Sequence, residues 1–176
     1  MLTWESKSVN DIDLWMRDPL GNLMSFRNKD SGLMHLDRDD LGSRNDKIKL
    51  PDGTVKVVSF NREIAALRVT VEGCYVVNTH VYRKRDAPNK ITGKLELLKV
   101  NPYRIIDVQE VTFTLQGEEQ TIWQFRMDSE GKIVDLNRDE INLVGKSQYS
   151  YEGTTERETS NMTQEEADRW SQGSGL

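Results

Sequence analysis

The chain has almost no thiol or imidazole chemistry. Cys74 is the only cysteine among 176 residues, so no intramolecular disulfide and no thiolate metal cluster can form. His35 and His80 are the only histidines, and a catalytic or zinc role would require a second nitrogen, a thiolate or a serine near either one. The phosphate-binding pattern Gly-x-x-x-x-Gly-Lys is also absent. A structural role is therefore the favoured interpretation for Cys74 and for both histidines.

Long apolar runs and an excess of positive charge are missing as well. No stretch approaches the roughly 20 apolar residues that a helix needs to cross a bilayer, and residues 1–5 lack the basic and apolar regions of a signal peptide. The net charge is −5, which offers a nucleic acid or an anionic membrane no general attraction. We expect no nucleic-acid partner, no membrane insertion, and a protein that is cytoplasmic or assembled into a virion or similar particle.

Helical periodicity is missing before residue 137, and alternation of apolar and polar side chains takes its place. The alternation is clearest in three segments, residues 10–17, 62–71 and 121–127, and residues 74–83 form the run richest in β-favouring side chains. Turn signals such as Pro51-Asp52-Gly53 separate the extended runs. The sequence therefore predicts an all-β body over residues 1–144.

The stretch from residue 10 to residue 46 organises this body. In its first strand the apolar side chains at positions 12, 14 and 16 share one face, which we expect to line the core. Asp11, Asp13 and Trp15 share the opposite face and are expected to point outward. The turn Asp18-Pro19-Leu20-Gly21 then reverses the chain, because proline presets φ at its second position.

Acidic residues are concentrated in and after this hairpin. Carboxylate oxygens are the ligands that Ca²⁺ prefers, and it takes about six to eight of them. The residues proposed as ligands are Asp11, Asp13, Asp37, Asp39 and Asp40. The alternative is a solvated acidic face whose loops are capped by Asx-turns, and the ligand ladder of an EF-hand is absent. Ca²⁺ is thus a possible cofactor, and no other cofactor is expected.

The composition changes after residue 136. Residues 145–176 contain little apolar periodicity at their start and are predicted to form an acidic linker or extended arm. Within this arm Thr163-Gln164-Glu165-Glu166 fits a capping box that opens a short helix over residues 163–171. Met162 and Trp170 would anchor that helix on an apolar surface of a partner. The alternative is that the whole arm is disordered.

Four motifs together carry a family resemblance. They are Asn10-Asp11-Ile12-Asp13-Leu14-Trp15, Asp18-Pro19-Leu20-Gly21, the run from Gly32 through Leu36-Asp37-Arg38-Asp39-Asp40-Leu41-Gly42, and Gly73-Cys74-Tyr75-Val76-Val77. This pattern resembles the uncharacterised bacterial YfaP-like domain family over about residues 2–100. The resemblance implies an antiparallel β-sandwich of immunoglobulin-like or jelly-roll type, similar to the pre-peptidase C-terminal domains that accompany secreted enzymes. It also implies an accessory, non-catalytic role.

These observations predict a non-enzymatic structural or interaction module of a larger assembly, such as a bacterial or phage particle. It would bind a protein partner or copies of itself through exposed sheet and its C-terminal arm, with Met162, Trp170 and Trp15 as contact residues. An alternative is a Ca²⁺-assisted carbohydrate-binding module in which Trp15 stacks on a sugar beside the acidic loops. A hydrolase is not expected, because no nucleophile, base and orienting group converge in the sequence.

Overall fold

The computed structural model describes residues 1–86 and 89–145. The strands are β1 Leu2–Trp4, β2 Asp11–Arg17, β3 Leu23–Met24, β4 Asp30–Ser31, β5 Met34–Arg38, β6 Lys47–Lys49, β7 Val55–Val57, β8 Arg62–Leu67, β9 Gly73–Arg83, β10 Ile91–Lys99, β11 Arg104–Phe113, β12 Glu119–Met127 and β13 Ile133–Asn137. One 3₁₀ turn occupies Gly42–Arg44. Among the described residues, no helix is long and apolar enough to cross a bilayer.

Two antiparallel sheets form the body. The first has the strand order β11-β10-β1-β8-β5-β4 and the second β13-β12-β9-β2-β3, while β6 and β7 pair with each other as a separate hairpin. Every pairing between these strands is antiparallel. The prediction of an all-β antiparallel sandwich is therefore confirmed.

The main core contains the apolar faces of both sheets. Leu2 of β1 and Phe113 of β11 are fully buried in it, as is Leu14 of β2, with 2% of its surface exposed. Tyr75 and Phe125 lie opposite each other on β9 and β12, and their rings stack with centroids 5.1 Å apart. The alternation in residues 10–17 thus predicted the core face of β2 correctly, because a strand buries every second side chain when a second sheet packs on it.

A second apolar cluster covers the other face of β2. It is formed by Trp15, Val76 and Leu143, which are all about 1% exposed. Leu143 belongs to the segment after β13, and its N–H donates to Glu119 Oε1 at 2.7 Å. The chain therefore folds back over the outer face of the second sheet, which is buried here on both sides.

The predicted C-terminal arm lies almost wholly outside the described residues. The structure describes this region only as far as Gly145. The short helix predicted over residues 163–171, together with Met162 and Trp170, falls beyond that point.

Replacing Leu143 with alanine should destabilise the fold. The substitution leaves a cavity against Trp15, and a buried leucine truncated to alanine costs about 2–5 kcal/mol. The free energy of unfolding from urea titration measures this loss. The matched control is Leu115→Ala, because Leu115 is 68% exposed and its truncation should change the free energy by less than about 0.5 kcal/mol. Equal effects of the two substitutions would contradict the described packing of residues 141–145.

Candidate functional site

Three carboxylates from three separate segments meet at one edge of β2. Asp13 lies in β2, Asp39 directly follows β5, and Glu63 is the second residue of β8. Each offers one oxygen, and these three oxygens all lie within 4.8 Å of one another. We call Asp13, Asp39 and Glu63 the acidic triad. It joins a strand of the second sheet to two segments of the first.

Glu63 is held in place by the backbone. Its partner on β1 is Leu2, a core residue, and the Glu63 side chain is fully buried. β3 pairs with Met16 and Arg17, and the earlier part of that edge of β2 has no strand partner among the described residues. The Leu14 N–H donates to Glu63 Oε2 at 2.6 Å, and the Asp40 N–H donates to Oε1 at 3.4 Å. The Glu63 carboxylate thus accepts a hydrogen bond that a neighbouring strand would otherwise accept. The same hydrogen bonds fix the position of the carboxylate.

The other two triad members have oxygens without hydrogen-bond partners. Asp13 is 2% exposed, and its Oδ2 atom accepts no hydrogen bond from the residues that the structure describes. This oxygen faces His80, whose Nδ1 atom is 3.7 Å away and is likewise unpaired among those residues. Asp39 Oδ2 is 2.8 Å from Lys29 Nζ, whereas its buried Oδ1 accepts no hydrogen bond. Buried carboxylate oxygens in this state are costly unless a proton or a cation satisfies them.

Asp11 lies beside the triad and adds a fourth buried carboxylate. It is 3% exposed, its Oδ1 atom accepts no hydrogen bond, and its Oδ2 atom is 3.9 Å from Arg85 Nη2. Burial, with the nearby negative charge of Asp13, raises the pKa of Asp11 to about 7. Burial likewise raises the pKa of Asp13 and, most strongly, that of Glu63.

The sequence predicted that Asp11 and Asp13 point to solvent, and this prediction is wrong. Alternation fixes which face of a strand a side chain takes but does not tell what covers that face. The segment after β5 packs against the start of β2. Gly42, at φ +62°, comes so close that a Cβ atom would lie 2.7 Å from the carbonyl oxygen of Asn10. Both aspartates are buried beneath this cover.

Three of the five predicted metal ligands are not members of the triad: Asp11 lies beside it, and Asp37 and Asp40 do not contribute to it. Asp37 follows the buried Leu36 in β5 and is exposed on the opposite face, where its Oδ1 atom is 3.3 Å from His35 Nε2. Asp40 is fully buried and its carboxylate already accepts three hydrogen bonds, from Gly42 N, Arg38 Nη2 and Arg62 N. Asp37 therefore points away from the triad, and Asp40 braces the loop that follows β5.

Sequence reasoning did not select Glu63, although the signal was present. Ala65 and Leu67 form the apolar face of the predicted strand at residues 62–71, and Glu63 stands at the same parity. A carboxylate at an inward position of a strand is rare unless it is paired or liganded. That position alone predicts a buried acid.

Trp15 does not provide the exposed aromatic platform that was predicted for it. The residue is 1% exposed and its ring meets Phe26 edge-on, with centroids 6.2 Å apart. Leu143, more than a hundred residues later, covers it. A sugar ring or a protein partner has no access to the Trp15 face, so the carbohydrate-binding alternative loses its stacking residue.

A second feature lies on the surface, in the hairpin of β6 and β7. We call residues 47–57 the β6–β7 arm. All residues of both its strands are exposed, and its four large apolar side chains are between 38% and 61% exposed: Ile48, Leu50, Val55 and Val57. Three lysines and one aspartate accompany them. The arm is therefore both apolar and basic.

Comparisons of the chain with models of protein families, with curated proteins and with solved structures found no match. The resemblance to the YfaP-like family therefore stays a prediction.

Without divalent cations, the stability of the protein should fall as the pH rises from about 5 to about 8. The pKa of Asp11 is about 7 in the folded chain and near 4 in the unfolded one, so the folded state binds more protons between these values. Raising the pH removes those protons and the stability that they provide. Asp13, Asp39 and Asp40 oppose ionisation of Asp11, and Arg85 favours it.

Urea titrations of the chelator-treated protein at both pH values measure this trend. Asp11→Asn removes one ionisable group and should reduce the loss, whereas Asp37→Asn, on the exposed face, should leave it unchanged. Greater stability at pH 8 than at pH 5 would contradict the prediction.

Proposed function

We propose that this protein is a non-enzymatic interaction module that assembles with further copies of itself through the β6–β7 arm. The supporting observation is the exposure of all four large apolar side chains of the arm, with Val55 and Val57 together on one face of the hairpin and Ile48 on the other. Single exposed apolar residues are ordinary, but a contiguous exposed group of them is typical of an interaction site.

The arm has little to stabilise it except its own hydrogen bonds. The Leu50 N–H donates to the Thr54 carbonyl at 2.8 Å, and Asp52 Oδ1 accepts from Thr54 N–H at 2.9 Å. In the part of the chain that the structure describes, β6 and β7 form ladders only with each other. An isolated two-stranded hairpin is marginally stable in water. A second surface that buries the two valines, which share one face of the hairpin, would stabilise it.

Charge identifies the kind of surface that fits the arm. Residues 47–57 carry three lysines and one aspartate, whereas the whole chain carries a net charge of −5. The remainder of the protein is therefore more acidic than the total indicates. A basic arm and an acidic body on the same chain are complementary between copies, because opposite potentials favour encounter and fix orientation.

The edge strand β11 is the receiving surface that we propose on the next copy. Within residues 1–86 and 89–145 it pairs with β10 on one side only, and its exposed apolar side chains Ile105, Ile106 and Val108 lie near the acidic Glu110. A strand with a free edge accepts another strand through main-chain hydrogen bonds. Docking of the arm on β11 joins two different surfaces, so repetition produces a ring or a filament rather than a closed pair.

Removing apolar surface from the arm should abolish this assembly. The variant is the double substitution Val55→Thr and Val57→Thr, because threonine keeps the shape and strand preference of valine while adding a hydroxyl. Size-exclusion chromatography with light scattering on the full chain should show oligomers that increase with protein concentration and decrease with salt. The double variant should be monomeric. Val69→Thr is the matched control, since Val69 is 54% exposed outside the arm, and it should assemble normally.

Cross-linking tests the proposed pair of surfaces directly. In a Cys74→Ser background, Val57→Cys protein mixed with Val108→Cys protein should form a disulfide-linked heterodimer on mild oxidation. Each variant alone should cross-link less than the mixture. A chain that stays monomeric at every concentration and salt, or an arm variant that assembles like the unmodified protein, would overturn the proposal.

A further inference from the structure

The acidic triad concentrates negative charge that the surrounding protein does not balance. Glu63 is fully buried and Asp13 almost so, and two backbone N–H groups are the only hydrogen-bond donors that the described structure gives Glu63. Lys29 contacts Asp39, and it is half exposed at the rim. Taking carboxylates out of water costs several kcal/mol each unless a counter-charge lies close to them. A positive charge among the triad oxygens would offset this cost.

Two residues of the triad each have one oxygen that is left unpaired by the described residues. Asp13 Oδ2 and Asp39 Oδ1 are buried and accept no hydrogen bond, in a fold where most buried polar atoms are paired. Asp13 is nine-tenths buried and belongs to the same group of oxygens as Asp39 and Glu63. An acidic surface patch would have water on these atoms instead.

We propose that Asp13, Asp39 and Glu63 bind one hard divalent cation, with Ca²⁺ as the best fit. The triad oxygens lie within 4.8 Å of one another, and two ligands on opposite sides of a Ca²⁺ ion are about 4.6–5.2 Å apart. Three carboxylate oxygens favour Ca²⁺, Mg²⁺ or Mn²⁺ over the softer metals that need thiolate or several imidazoles. The unpaired Oδ1 atom of Asp11 is the nearby group that can extend the ligand set.

The ligands are held in place before the cation arrives. The Leu14 amide fixes Glu63, and Lys29 fixes one oxygen of Asp39 while leaving the other free. Because Asp13 belongs to the second sheet and Glu63 to the first, a bound cation links the two sheets at the open edge of β2. Binding therefore stabilises the folded chain over the unfolded one.

Calorimetric titration of the chelator-treated full chain with Ca²⁺, Mg²⁺ and Mn²⁺ tests this site. We expect one saturable site, tightest for Ca²⁺, and an unfolding temperature that rises with Ca²⁺ concentration and returns to its starting value with chelator. Asp39→Asn should weaken binding at least about tenfold, the smallest loss typical of a disturbed metal site. The matched control is Asp37→Asn, which removes the same charge two residues away and should bind with unchanged affinity.

The design separates loss of a ligand from loss of the fold. Glu63→Gln leaves one acceptor oxygen for two backbone N–H groups, so it weakens the brace of β2 as well as the ligand set. Asp39 pairs with the half-exposed Lys29 and accepts no hydrogen bond from the backbone of β2, so a folded Asp39→Asn variant is sufficient for the test. Absence of binding heat and of any thermal shift with all three cations would overturn the proposal. Equal weakening by Asp37→Asn and Asp39→Asn would overturn it too, since surface charge alone would then explain the binding.

Discussion

The open edge of β2 is the constraint on which much of this structure depends. A strand edge inside a protein must have its amides satisfied, because a buried N–H without an acceptor costs free energy comparable to a lost hydrogen bond. Here β3 is too short to pair with the whole of β2, and Glu63 supplies the missing acceptor for Leu14. That solution brings a full carboxylate into the interior. The buried negative charge is therefore a consequence of the unpaired edge of β2.

The strands and their core faces were largely predictable from the local alternation of apolar and polar residues. The segments that cover the outer faces of the strands were not. Alternation at residues 10–17 correctly assigned Ile12, Leu14 and Met16 to the core, since a pleated strand leaves no other arrangement. The alternation does not indicate whether the opposite face of β2 is exposed or buried. Leu143 covers Trp15, and the segment after β5 covers Asp13; both covering segments are remote in sequence.

The acidic cluster was partly predictable for the same reason. Asp13 and Asp39 were selected because they belong to conspicuous acidic runs, and the structure places them together. Glu63 was not, because it is a single acid in a strand of ordinary composition. A cluster assembled from three separate segments requires the pairing of β5 with β8 and the contact of β8 with β2, which no short-range pattern contains. Counting acids along the chain selected Asp37 instead, although its side chain takes the opposite face.

The protein departs from the usual rules of folding at two places, and they differ in kind. One is interior and polar, where carboxylates are buried without enough partners; the other is exterior and apolar, where the β6–β7 arm exposes what a core would bury. Sequences generally agree with their folds at every level, and departures from that agreement concentrate at functional sites. The two proposals correspond to these two departures: a divalent cation would satisfy the buried carboxylates, and a second copy of the protein would cover apolar side chains of the arm. The two features therefore call for different ligand chemistry.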